Sequence, residues 1–91
     1  MKPSKAYICG KPNAIRYTDE LVDEGTVDYR RRLISIMCDK DSSDEDIWDR
    51  ILHEVLHTID YEYALRLKET QIRILGSALS DVFWRNKWIK Q

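Results

Sequence analysis

The stretch that decides the fold runs from Leu33 to Ala64, LISIMCDKDSSDEDIWDRILHEVLHTIDYEYA. Its opening, Leu33-Ile34-Ser35-Ile36-Met37-Cys38, alternates well enough for a strand with Ile34 and Ile36 on one face and Leu33, Ser35 and Met37 on the other. Ser42-Ser43-Asp44-Glu45 then has the form of a capping box, with Ser42 as the cap and Glu45 reaching back to it. Acidic residues in that first turn suit the positive end of the helix dipole. The helix so opened is expected to run to about Ala64. At about 100° per residue, Ile47, Trp48, Ile51, Leu52, Val55 and Ile59 make one broad apolar arc along it.

Upstream, Ala6 to Cys9, Ala14 to Thr18 and Gly25 to Tyr29 carry further strand signals, broken by Gly10-Lys11-Pro12-Asn13 and Asp23-Glu24-Gly25. Downstream, Ile72, Leu75, Leu79, Val82 and Phe83 recur at helical spacing, which predicts a second helix from near Glu69 to about Trp84. The expected fold class is therefore α+β, a small mostly antiparallel sheet followed by two helices. Its 91 residues form one domain, since two cores would each be too small to fold without staples.

Composition narrows the function classes. The chain is 43% hydrophobic and 34% charged with three Gly and two Pro, which excludes disordered, collagen-like and membrane-spanning readings. Fifteen Lys and Arg against sixteen Asp and Glu leave a net charge of −1, so no overall basic field draws in nucleic acid or anionic membrane. Arg30-Arg31-Arg32 reads as a solvated turn between strands. Cys9 and Cys38 are too few to staple a secreted mini-protein, and Met1-Lys2-Pro3-Ser4-Lys5 leads into no apolar signal region, so a cytoplasmic protein is expected.

The chemistry is concentrated in His53-Glu54-Val55-Leu56-His57, an HExxH pattern. Two imidazoles four residues apart stand one turn above each other on a helix and can grip one metal ion, most suitably Zn2+. Glu54, pointing in a neighbouring direction, is placed to act on a water at the metal as general base. Both histidines of the chain are used; two placed at random would fall four apart in roughly 2% of arrangements, which makes coincidence a weak account. They also lie opposite the centre of the apolar arc, near Asp46, Asp60 and Ala64, so they are not core positions that happen to be histidine.

A zinc site needs a third protein ligand. Asp60, Glu62 and Glu69 are the nearby carboxylates. Glu62 points back toward the apolar arc. Asp60 shares the side of His57 and suits a hydrogen bond that orients that ring. Glu69 opens the second helix, and Gly76, nearly on the same side two turns later, would let the helices approach closely enough to bring Glu69 over the pair. The expected ligands are His53, His57 and Glu69. In so small a domain the metal would contribute to folding as well as to chemistry.

HExxH on one helix followed by Glu69-Thr70-Gln71-Ile72-Arg73-Ile74-Leu75-Gly76-Ser77-Ala78-Leu79 resembles the gluzincin-like metallopeptidases, especially the short phage and prophage proteins related to the ImmA/IrrE group. The resemblance covers roughly residues 25–79. It implies a minimal zincin-like domain, a hydrolase that cleaves peptide bonds, with zinc on His53, His57 and Glu69 and with Glu54 as general base. The longer metzincin motif is absent, since Asp60 and Tyr63 occupy its Gly and His places. Tyr61, Tyr63 and Arg73 are candidate oxyanion donors, Tyr63 being on the apolar side and expected in the core. A peptide substrate could add along an exposed sheet edge. Two other readings are a zinc-stabilised binding module without activity and a phage regulatory protein acting through its tail, where Trp84 and Trp88 are expected to pack on the domain or on a second copy. The oligomeric state is not legible in the sequence.

Overall fold

The computed structural model describes residues 2–21 and 23–89 of the chain. Cys9 and Gly10 both take positive φ, 53° and 77°, which is what a two-residue hairpin loop requires if its twist is to match that of the strands. They join β1 (Lys5–Ile8) to β2 (Lys11–Thr18), antiparallel with Ile8 opposite Lys11. The turn is therefore shorter than the expected break at Gly10–Asn13, and Lys11, Pro12 and Asn13 belong to β2. With β3 (Gly25–Asp28) and β4 (Leu33–Met37) the sheet has the order β1-β2-β4-β3. Pro12 is tolerated in an inner strand because β2 pairs with β4 only from Ala14 onward, so no rung toward β4 is lost.

The sheet is mixed. Its outer pairs, β1 with β2 and β3 with β4, are antiparallel, as expected for most of it, but the central pair β2 and β4 is parallel. A parallel return needs a connection longer than a hairpin, and β3, lying between β2 and β4 in sequence, supplies it. Across that central pair Arg16 stands beside Ser35 and its Nε donates to Ser35 Oγ at 2.8 Å.

The other face is covered by α1 (Asp44–Tyr63), whose Ile47 and Ile51 meet Ile8, Ile15, Ile34 and Ile36 of the sheet. Ile34 and Ile36 are wholly covered, on the shared face their spacing predicts. Each such side chain contributes about 1.5–3 kcal/mol by leaving water. The capping box forms one residue later than expected: Ser43 is the cap, Asp46 the reciprocating residue, and both bonds are 3.1 Å. Ser42 is engaged elsewhere, donating to Asp39 Oδ1 (2.9 Å) and accepting from Arg50 Nη1 (2.8 Å), while the same Arg50 nitrogen donates to the Met37 carbonyl (2.9 Å). Arg50 thus fastens the start of α1 to the end of β4.

The helix ends at Ala64, which adopts a left-handed conformation (φ 51°) and sends its amide back to carbonyls of the last turn. After a short connection α2 (Glu69–Arg85) folds back and packs on α1 alone, burying Ile72, Gly76 and Ser80. Glu69 is its first residue, as predicted. A Cβ built at Gly76 would lie 3.5 Å from His53 Cα and 3.6 Å from Leu56 Cδ1. The helices are close there, though a methyl group would still fit at ordinary contact distance. No helix among the described residues is long and apolar enough to cross a membrane.

Candidate metal centre

The histidines are half-buried. The side of α1 opposite the sheet is the side that receives α2, and His53 and His57 lie in that seam with side chains about one quarter exposed. Their Nε2 atoms are 3.2 Å apart. Glu69 reaches over from α2, its Oε1 at 3.0 Å from His53 Nε2 and its Oε2 at 3.0 Å from His57 Nε2. These three residues are the one described group of metal-ligating side chains that converges, its ligand atoms all within 4.8 Å of one another.

The spacing fits a shared cation. Zinc with ligands at about 2.0–2.1 Å in tetrahedral directions holds them about 3.3 Å from each other. Two ring nitrogens turned toward each other cannot both present a proton to the same narrow space, whereas one cation between them would satisfy both lone pairs and the carboxylate at once. The donor set, two imidazoles and one carboxylate bordering the cleft, is one that zinc accepts in catalytic sites.

Glu54 is the least exposed carboxylate of the site, 6% accessible. It belongs to the sheet-facing stripe Ile47, Ile51, Glu54, Thr58, which turns from apolar to polar halfway along α1. Thr58 settles its hydroxyl on the Glu54 carbonyl (2.9 Å). Beneath the Glu54 side chain lies Gly25 of β3, where a Cβ would come within 2.9 Å of Glu54 Cγ and Oε2. Burial pushes the Glu54 carboxyl up to about 7; neighbouring His53 opposes that rise, and Glu69 and Asp23 add to it. No described residue hydrogen-bonds its carboxylate, which opens on a cleft of about 570 Å³ also bordered by His53, His57, Glu69, Arg73 and Gly25. Asp23, Glu24 and Asp49 also line the cleft, with Arg50 among them. Burial, then Glu24, raises the Asp49 carboxyl above its usual range.

The remaining candidates separate. Glu62 faces away and pairs with Lys11 at 3.0 Å. Asp60 does not orient His57: no hydrogen bond joins them, and Asp60 Oδ1 instead accepts the Leu67 amide at 2.9 Å. It thereby fixes the connection that delivers Glu69. Tyr63 is 64% exposed, not in the core: it lies in the last turn of α1, beside Cys9 of the β1–β2 hairpin. Of the three possible oxyanion donors only Arg73 borders the cleft. Tyr61 is stacked flat on Tyr29, ring centroids 4.2 Å apart and planes 6° off parallel.

Two residues of the site were not singled out in the sequence. Gly25 stood only at a turn and as the start of a strand signal, and its contact with Glu54 depends on the packing of β3 against α1. Tyr29, immediately after β3, has a hydroxyl held protonated first by burial and then by the carboxylates of Glu54, Asp60 and Glu69. Nothing in its spacing from His53 announces that neighbourhood.

Compared with protein-family models, curated proteins and solved structures, the chain matches none.

Proposed function

We propose that this protein is a zinc-dependent metallopeptidase of minimal size, similar in kind to the gluzincin-like enzymes of phages. The observation that carries the reading is the convergence of His53 Nε2, His57 Nε2 and both oxygens of Glu69, with Glu54 buried beside them and free to act. Zinc held there would supply a Lewis acid, making water acidic near neutral pH and polarising a carbonyl. Glu54 takes the proton of the attacking water and delivers it to the leaving amine. Its carboxylate is bonded by no other described residue, which leaves its oxygens available for that proton. β3 is an edge strand and borders the cleft through Gly25, so an extended peptide could pair with it and lie across the site.

A second reading, a zinc-stabilised binding module, is favoured by one observation: among the described elements α2 packs on α1 and on no strand, and the described salt bridges that join the two helices are those of Glu69 with the two histidines. A metal there would staple α2 to the body. Both readings expect near one zinc per chain by plasma mass spectrometry, lost in Glu69→Ala. Glu54→Gln separates them. The peptidase reading expects this variant to keep zinc and to lose cleavage of a peptide mixture by about a hundredfold or more; equal cleavage by both proteins would remove Glu54 from the mechanism.

A further inference from the structure

We propose that the chain pairs with a second copy of itself through the outer face of α2. That helix is apolar on two sides. Its inner side, Ile72, Gly76 and Ser80, is buried against α1. On its outer side Ile74, Leu75, Ala78, Leu79 and Val82 form one continuous band at about 100° per residue. Ile74 is 68% exposed, Leu75 44%, Leu79 36% and Val82 41%. Just past the helix, Trp88 leans on Phe83 with ring centroids 5.7 Å apart and is itself 68% exposed. A surface helix of a monomer keeps its second side polar; this one does not.

Area, charge and symmetry select the occupant. The band with Trp88 exposes roughly 500–600 Å² per chain, at the upper end of what a monomer leaves open. Two such faces buried in full would remove at most about 1,000–1,200 Å², the size of a weak, reversible association. Between Ile74 and Val82 the band contains no ionisable side chain, and at its edge Asp81 and Arg85 neutralise each other at 2.6 Å. It offers nothing to a basic or acidic partner and is complementary to another neutral apolar band. The pattern also reads alike from both ends about Ala78, with Ile74 four residues before and Val82 four after. An antiparallel two-fold arrangement sets Ile74 of one copy opposite Val82 of the other and places the small Ala78 where the helix axes cross.

The test is sedimentation equilibrium on the full chain over the micromolar range, with and without added zinc. A species of twice the 10.8 kDa chain mass is expected, and Ile74→Glu with Val82→Glu should make it dissociate about tenfold more readily or not form at all. A second variant does not depend on that pair folding: Ala78→Cys, in a Cys9→Ser and Cys38→Ser background, should oxidise to a covalent dimer, while Ser77→Cys in the same background, on the cleft side of α2, should not. A monomer at every concentration, or a dimer that survives both glutamates and crosslinks through Ser77→Cys instead, overturns the proposal.

Discussion

The two long faces of α1 are closed by different physics. Toward the sheet, Ile47 and Ile51 sink into a cluster of isoleucines that needs nothing but exclusion of water. Toward α2, the seam holds Ile72 and the glycine contact at one level and three polar side chains at the next, with the ion pairs of Glu69 as the charged link between the helices. The first face rests on apolar burial; the second joins apolar burial at Ile72 to a cluster of lone pairs, and on the proposed zinc reading a cation among them would strengthen it.

The largest effect should come from the sheet side. Ile51→Ala removes a side chain that is 2% exposed and is expected to lower stability by about 2–5 kcal/mol, equally with and without zinc, in urea denaturation. Next comes metal removal. Zinc at a hundred times its dissociation constant would stabilise the native chain by about 2.7 kcal/mol, and chelation should take that away from the wild type but not from Glu69→Ala. Amide exchange should show α2 opening first, since it rests only on α1. If chelation and Glu69→Ala left α2 as protected as before, the contrast between the two faces would fail.

An effect of comparable order distinguishes Glu54 from its neighbours on the sheet-facing stripe. Its carboxyl titrates near 7 in the native chain against 4.5 when unfolded. Between those values the unfolded chain loses a proton that the native one keeps, so the stability of the metal-free protein should fall as pH rises from about 4.5 to about 7, then level off. Glu54→Gln should abolish that fall in thermal scans across the window.

The smallest pair sharpens the contrast through two glycines. At Gly76 a methyl group meets only ordinary contacts, so Gly76→Ala should raise stability by about 0.5–1 kcal/mol through its better helix propensity. At Gly25 it would meet the Glu54 carboxylate at 2.9 Å, so Gly25→Ala should cost about 1–3 kcal/mol and displace that side chain, lowering any peptide cleavage while zinc stays bound. The glycine that the spacing pointed to is thus the permissive one, and the demanding one is Gly25, whose place under Glu54 no spacing within the chain encodes.

The sequence by itself determined the elements with strict local rules. The isoleucine alternation of β4, the long run of α1, Glu69 as the first residue of α2 and the pairing of His53 with His57 are all set by spacing within about two helical turns or a few strand residues, where backbone geometry leaves little freedom. Only the tertiary structure decided what those elements meet. The parallel pairing of β2 with β4, the burial of Glu54 over Gly25, Tyr29 beside the carboxylates and Asp60 on the connection instead of on His57 each join residues far apart in the chain or in competition for one partner. Such meetings depend on how whole surfaces pack, and no periodicity along one segment encodes the surface that another segment brings to it.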